Sequence, residues 1–543
     1  MIKKFSSVII IYFTGCLLSY GQEHRICSTP DYDKHRRSTN PAYAKERDEM
    51  ERKIAAFVAA HSSQRNSGAT LIIPVVVHIV YNTPDQNLSD DRIISQIDAL
   101  NEDYSITNAN IVEVPSVWAG LVGSSHIYFS LARKDENGNA TTGIIRRQTS
   151  ETYFSTGDAM KDSSAGGSNA WDRNHYLNIW VCNLQNGGTQ DILGYATYPS
   201  TTDPSTDGIV INYKAFGRIG ANLKTQYNLG RTATHEIGHW LNLYHIWGDD
   251  TDCSGTDLID DTPNQKDATY GCPDSPQSSC TNDADGGDMF QNYMDYTDDR
   301  CMMLFTTDQR SRMDNAIIDY RDSLYNAVSY ALPLDTLATD LKISTLRADA
   351  NTLGNVVCEK YIHPGITIQN AGTNVITSFS VEYRVDDDSI VQFDWNGTLL
   401  PGAVLDTALP QILVSDDLHL LSADVTNVNG GNDDYTIDNF KTRSFLYAPS
   451  KYSCPVYPEV PEITILPNPA GESISIETKY KEAQQATISI YNILGQRVYS
   501  SNYLDSHGEN LNVYVGGLAN GFYFVEVKTF NQQVTKKFVV NHL

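Results

Sequence analysis

His235-Glu236-Ile237-Gly238-His239-Trp240-Leu241-Asn242-Leu243-Tyr244-His245 decides how the rest of this chain is read. Two histidines four apart on a helix leave one face a turn apart, so both imidazoles reach a single cation. Six residues past His239, His245 would lie about 240° round a continuing helix and about 9 Å further along it, out of reach of that cation. The helix therefore has to end between them. Asn242 supplies the ending, because asparagine tolerates the left-handed backbone at which helices stop and chains double back. Three neutral imidazoles leave the fourth tetrahedral position of zinc to water, the arrangement of a catalytic site. Glu236 then faces the water and not the metal. Ile237, Trp240, Leu241 and Leu243 give the helix apolar faces to bury, and Gly238 is expected to admit a neighbouring backbone. The alternative is a decayed or purely structural metal site.

The HExxH motif with a third His and a later methionine turn is the metzincin signature, with Asn242 here where the usual pattern has Gly. Asn292-Tyr293-Met294-Asp295-Tyr296 looks like the methionine turn. HEIGHWLNLYH, the cysteine-flanked acidic loop after it and NYMDY together resemble the pappalysin family of zinc endopeptidases, in its short bacterial branch. The resemblance covers roughly residues 70–325, a little under half the chain. It implies an α/β metzincin-type catalytic domain, a mixed twisted sheet plus an active-site helix. It also implies zinc ligands His235, His239 and His245, Glu236 as general base, Met294 as an apolar floor beneath the metal, and Tyr296 as the tyrosine that stabilises the tetrahedral intermediate.

After His245 the run Gly248-Asp249-Asp250-Thr251-Asp252-Cys253 leads into Asp257-Leu258-Ile259-Asp260-Asp261-Thr262-Pro263. Oxygen ligands packed this densely suit calcium, though a solvated acidic loop has the same composition. The family resemblance favours calcium and points to Asp257, Thr262 and the Ile259 carbonyl. Cys253, Cys272, Cys280 and Cys301 allow three pairings that sequence does not choose between. The resemblance implies Cys253 with Cys280 and Cys272 with Cys301. Asp299 aligns with an acidic position that gives relatives a preference for Arg after the scissile bond; pairing with Arg300 or Arg310 is the other reading.

The 543 residues exceed what one core usually supports, so three or four units are expected. A net charge of -26 argues against nucleic acid and anionic membrane surfaces as partners. Lys3 and Lys4, an apolar run over residues 8–18 and the small residues Ser19 and Gly21 read as a secretory signal over 1–21, too short to span a bilayer. Cys16 as a lipoprotein site fits poorly after Phe13. Export makes disulfides among the nine cysteines reasonable.

Residues 22–68 are too few for a core of their own and read as a propeptide with one helical stretch over 42–60. Within Arg25-Ile26-Cys27, the Cys27 thiolate is a candidate latency ligand that fills the open zinc position, as in some members of the family. Otherwise Cys27 pairs with another cysteine. Arg65 is a candidate activation cleavage point. The catalytic domain, 69–328, opens with the apolar run Ile72-Ile73-Pro74-Val75-Val76-Val77-His78-Ile79-Val80, a strand buried on both faces. His78 is read as a core histidine. Ser89 caps a helix carrying Ile93, Ile94, Ile97 and Leu100, and strands follow over 127–132, 177–182 and 208–212. The segment Leu193-Gly194-Tyr195-Ala196-Thr197-Tyr198-Pro199 reads as an edge strand ended by proline. An open edge beside the metal takes up an extended peptide as an added strand, which favours protein or peptide substrates.

Residues 335–455 and 462–543 change to short alternating strands split by Asn, Gly and Asp turns, two all-β sandwich domains. The first is immunoglobulin-like, with Cys358 and Cys454 placed to close its ends, and is read as a spacer or substrate-binding module. The second, with Leu466-Pro467-Asn468-Pro469, Tyr491-Asn492-Ile493-Leu494-Gly495 and Gly521-Phe522-Tyr523, resembles the C-terminal sorting domain of type IX secretion. That resemblance implies passage through the outer membrane by the type IX machinery, with the domain removed or exchanged for an anchor; the mature chain is expected to carry no transmembrane segment. Competing readings are a surface adhesin displaying its β modules on an inactive protease fold, and zinc hydrolysis of a non-protein ester or amide.

Overall fold

The computed structural model describes residues 24–61, 70–280, 286–333, 337–350, 355–449, 462–471, 473–479, 484–493, 496–505, 510–529 and 533–542. The signal segment with Cys16, the Arg65 site and Cys454 lie outside them.

The long apolar run becomes the strand Leu71–Tyr81, and its lack of alternation has a direct cause. Ile73, Val75, Val77 and Ile79 face one apolar cluster, shared with the helices Asp90–Tyr104 and Arg231–Trp240. On the opposite face Val80 joins a second cluster with Trp180, Cys182, Tyr195 and Val210. A strand covered on both sides has no solvent face to mark with polar residues. It pairs in parallel with Ile127–Leu131, Ile144–Gln148 and Leu177–Cys182, and the last pairs in parallel with Ile209–Asn212. The sixth strand, Gly194–Ala196, closes the sheet antiparallel and is its edge.

His78 is fully buried between Ser168 Oγ (2.9 Å) and Asn178 Oδ1 (3.0 Å), and burial pushes its pKa down to about 4. Its partners are Ser168, Asn178 and the stacked Trp180 ring, none of them a motif histidine. Ser89 accepts the Arg92 N–H and so caps the helix Asp90–Tyr104.

The segment before the first strand forms two helices, Thr29–Thr39 and Pro41–His61, where the sequence pattern gave one. The first is polar on nearly every side, and of its residues only Thr29, Tyr32 and Arg36 are buried. Docking against the edge strand Gly194–Ala196, not an apolar periodicity, holds it. Just ahead of it, residues 26–28 lie along the edge strand: Leu193 N donates to Ile26 O (2.9 Å) and Ser28 N to Gly194 O (3.0 Å). The pairing is parallel, so the edge expected to be open carries a segment of the chain itself.

Beyond residue 337 a five-stranded and a three-stranded sheet share one apolar cluster, with Ile343 and Ile368 from one and Val381, Leu421 and Phe445 from the other. Cys358 is disulfide-bonded. The last stretch holds a three-stranded and a four-stranded sheet around Ile463, Ile476, Ile488, Val525 and Phe538. Strand Phe440–Tyr447 of the five-stranded sheet packs on the helix Asp90–Tyr104. There Asp98 Oδ2 accepts the Thr442 N–H (2.7 Å) and hydroxyl (3.0 Å), and Glu102 accepts from Arg218 and Ser444. Ile437 and Phe440 even join the catalytic region's own apolar cluster. This β region is therefore docked on the helix Asp90–Tyr104, through contacts that bury two of that helix's carboxylates. Among the described residues no helix is long and apolar enough to cross a membrane.

Candidate metal centre and active site

The active-site helix runs Arg231–Trp240 and ends as Asn242 takes φ +73°. The reversal brings His245 back beside the other two ligands. The Nε2 atoms lie 3.2 Å (His235–His239), 3.1 Å (His239–His245) and 3.2 Å (His235–His245) apart. Ligands about 2.05 Å from a tetrahedral zinc would be about 3.3 Å from one another. The fourth donor is Cys27 Sγ, 3.5 Å from His239 Nε2, against about 3.6 Å for a sulfur and a nitrogen sharing that zinc. All four donor atoms lie within 4.8 Å of one another and all four residues are buried. Cys27 is a free thiol, so its alternative reading as half of a disulfide fails among the described residues.

Each imidazole is oriented through its other nitrogen. His235 Nδ1 donates to the Tyr293 carbonyl and His239 Nδ1 to the Leu243 carbonyl, both at 2.7 Å. A carbonyl only accepts, so each Nδ1 carries the proton and each Nε2 keeps its lone pair for a metal. Burial, then the neighbouring imidazoles, pushes His235 well below the usual histidine range, and His239 is lowered the same way; both stay neutral. His245 differs, with Nδ1 2.5 Å from the Asp249 carboxylate and its ring stacked 4.4 Å from Trp247.

Glu236 lies beside the donors. Burial pushes it up to about 8, against the lowering effect of hydrogen bonds from Cys27 and Thr29. Thr29 Oγ1 donates to Glu236 Oε2 at 3.0 Å, a contact that no motif announced. Edge-strand residue Gly194 has to be glycine, since a Cβ there would lie 2.8 Å from Glu236 Cγ. Tyr296 donates its hydroxyl to the Cys27 carbonyl at 3.2 Å. Met294 is fully buried, and a Cβ on Gly238 would come 2.5 Å from its sulfur. Gly238 thus makes room for a thioether, not for the neighbouring backbone expected from sequence. Behind these groups Asp103 accepts from Thr234 Oγ1 (2.7 Å) and the Tyr293 hydroxyl (2.8 Å), tying the helix to the methionine turn. Thr29 and Asp103 lie far from the motif and carry no pattern of their own, so sequence reading passed over them, and nothing in the sequence tied Gly194 to Glu236 or Asp249 to His245.

Asp299 is fully buried and pairs with Arg25 at 2.7 Å. Its other oxygen accepts the N–H groups of Leu229 (2.9 Å) and Arg231 (3.1 Å). Arg25 also donates to the Thr297 carbonyl (3.3 Å) and Thr232 Oγ1 (3.2 Å), and lies 4.9 Å from the centre of the Tyr227 ring. The pairing of Asp299 with Arg300 or Arg310 is not found: Arg300 meets Glu113 and Arg310 meets Asp314. In the acidic loop Thr262 Oγ1 lies 2.9 and 3.0 Å from the Asp257 carboxylate and 3.2 Å from Ile259 O. The structure joins Cys253 to Cys280 and Cys272 to Cys301.

A family model described as pregnancy-associated plasma protein-A, peptidase family M43, matches residues 161–318. An extracellular metalloprotease of Pyricularia oryzae is 34% identical over 273 residues, 49% of this chain and 82% of that protein. One from Arthroderma otae is 31% identical over 273 residues, 49% of this chain and 85% of that protein. The chain belongs to the pappalysin family. Among solved structures, a promirolysin variant of Tannerella forsythia is 46% identical, with a TM-score of 0.51, covering 57% of this chain and all of that one. This pappalysin is a metalloendopeptidase. A secretion-system C-terminal sorting domain model matches its residues 464–541, which makes it a secreted or surface-localised type IX cargo.

Proposed function

We propose that this pappalysin is a zinc endopeptidase made as a latent precursor, and that it prefers arginine after the scissile bond. The observation that carries the reading is the fit of three imidazole nitrogens and one thiol to the edges of a zinc tetrahedron. His235, His239 and His245 would hold the ion. Bound there, zinc supplies a Lewis acid that activates water near neutral pH and polarises a peptide carbonyl. Glu236 takes the proton from the attacking water and returns it to the leaving amine. The Tyr296 hydroxyl donates to the oxygen on which negative charge develops.

The precursor contacts support latency. Cys27 occupies the fourth donor position, Thr29 bonds the general base and the Cys27 carbonyl engages Tyr296, so each working group is already partnered. Direction matters as well. Residues 26–28 run parallel to the edge strand with Arg25 in the Asp299 pocket, on the N-terminal side of the metal-facing residue. A substrate with arginine after its scissile bond enters that pocket from the C-terminal side, so it runs antiparallel. The inhibitory segment fills the same pocket in reverse and offers no bond in register for attack.

Asp257, Thr262 and the Ile259 carbonyl fit a structural calcium: burial pushes Asp257 up to about 7, and a hard cation would stabilise the carboxylate instead. We read 1–21 as signal peptide, 22–68 as propeptide, 69–328 as the catalytic domain, and 335–455 and 462–543 as β-sandwich modules.

The test is digestion of casein by the protein freed of residues 22–68. Zinc chelation is expected to abolish cleavage and added zinc to restore it; digestion unchanged by chelation refutes the reading. On a peptide library Asp299→Asn is expected to lower kcat/KM for arginine-containing sites by roughly a hundredfold, since a buried guanidinium loses its charged partner. An apolar preference in the unmodified enzyme would refute the arginine assignment.

A further inference from the structure

The helix Pro41–His61 docks on Pro199, Ser200, Tyr244 and Arg312, and on Tyr198, whose ring packs 5.7 Å from that of His239; the described side chains of the helix make no hydrogen bond or ion pair with the three motif histidines. Tyr43, Met50 and Ile54 are fully buried along one side of it. Between them stands Arg47, also fully buried, with Nη1 3.4 Å from the Pro199 carbonyl, Nη2 3.0 Å from the Tyr244 hydroxyl and the guanidinium 4.6 Å from the centre of the Tyr198 ring. One turn on, Glu51 accepts from Arg312 at 2.6 Å, from Asn242 Nδ2 at 3.2 Å and from the Tyr244 hydroxyl at 2.9 Å. Arg47 and Glu51 pair with each other at 3.2 Å. Upstream, Glu46 accepts from Ser200 Oγ (2.6 Å) and the Thr201 N–H (2.7 Å).

The receiving surface is equally specific. Arg312 is buried, donates to the Asn242 carbonyl at 2.7 Å and lies 5.1 Å from the centre of the Tyr244 ring. Its carboxylate partner is Glu51. Two tyrosine rings, a cation and a carbonyl thus form a socket that matches an arginine and a glutamate spaced four apart on a helix. Charged groups desolvated and paired in this way hold a complex mainly by slowing its dissociation.

We propose that this socket is a second, metal-independent anchor for the prosegment. Cutting the chain within residues 62–69 then does not release the inhibitor. The severed prosegment stays bound through Arg47 and Glu51, keeps Cys27 over the metal, and leaves only when it is itself degraded. In the mature enzyme the socket is a binding site for the chain's own prosegment supplied in trans. The inference rests on the reading of residues 22–68 as a propeptide.

The test uses the full chain with Glu236→Ala, to prevent self-digestion, and a specific protease site placed in residues 62–69. After nicking, dissociation of the prosegment is followed by size-exclusion chromatography. Cys27→Ala is expected to leave it bound. Arg47→Gln with Glu51→Gln, both compatible with a helix, is expected to speed release at least about tenfold, in chains with Cys27 and without it. Immediate release from the Cys27→Ala chain, or release unchanged by the Arg47 and Glu51 substitutions, overturns the anchor. A separate arm compares casein digestion by the unnicked chain with Glu236 intact and by the chain freed of residues 22–68; equal activity overturns the propeptide reading instead. Should the doubly substituted chain fail to fold, a synthetic peptide of residues 24–61 is titrated against the mature enzyme. Inhibition at least about tenfold weaker with Gln at 47 and 51 supports the anchor, and equal inhibition refutes it.

Discussion

Glu236→Ala is expected to lower kcat on casein by about three orders of magnitude while the protein keeps its zinc. The carboxylate touches none of the orienting contacts of the imidazoles, which come from the Tyr293 and Leu243 carbonyls and from Asp249. Its removal therefore leaves the ligand set intact. Gly194 on the edge strand packs against the Glu236 side chain, so alanine opens a small void without pushing on the metal site. The proton taken from water then has no acceptor at that position, and the leaving amine has no donor. Glu236→Gln keeps the volume and loses only the base, so it should fall as far as alanine. Metal content by elemental analysis beside kcat separates the two roles. A variant that loses zinc makes Glu236 part of the metal site, and a variant with full activity removes it from the chemistry.

The convergence of the three histidines was legible because its signal is local. HExxH fixes two donors by helix geometry, and Asn242 announces the reversal that recovers the third. The strand Leu71–Tyr81 was equally plain, since a run of β-branched residues without alternation has few other readings. What sequence missed depends on pairs far apart in the chain. Asp299 offered two neighbouring arginines, and the partner it takes in the structure is Arg25, 274 residues away. The helix Thr29–Thr39 lacks an apolar stripe because its buried side chains are a threonine, a tyrosine and an arginine. Gly238 was assigned the right freedom for the wrong neighbour, since steric room at a glycine does not say whether backbone or Met294 sulfur will use it. The docking of the middle β region was hidden most completely. Asp98 and Glu102 look like the solvated face of an amphipathic helix, and nothing within that helix says that a strand more than three hundred residues later covers them.

That covered face yields the largest expected effect on stability. Glu102→Ala is expected to destabilise the full chain by about 3–5 kcal/mol at pH 7, measured by urea unfolding. The carboxylate and Arg218 are only 5% and 3% exposed, and they meet through two contacts of 2.7 and 3.2 Å. Ser444 adds its backbone N–H at 3.2 Å and its hydroxyl at 2.5 Å. Alanine strands the Arg218 charge away from water and unpairs Ser444, which costs more than the pair itself contributes. Burial alone would push the Glu102 carboxyl up; Arg218, Arg443 and the hydrogen bonds outweigh it and hold the group below the usual glutamate range. A lowered folded-state pKa means that its stabilisation is present above the unfolded value of about 4.3 and disappears as pH falls through the folded one. The gap between wild type and Glu102→Ala should therefore narrow on acidification below about pH 4. A variant within about 0.5 kcal/mol of wild type at pH 7 would mean that the strand Phe440–Tyr447 rests on the catalytic helix without stabilising it. The full effect would show that the buried cluster of Glu102, Arg218 and Ser444 stabilises the chain as one unit. Because Asp103, the neighbour of Glu102, holds Thr234 and Tyr293, the same docking then stiffens the helix that carries His235 and His239 and the methionine turn beside it.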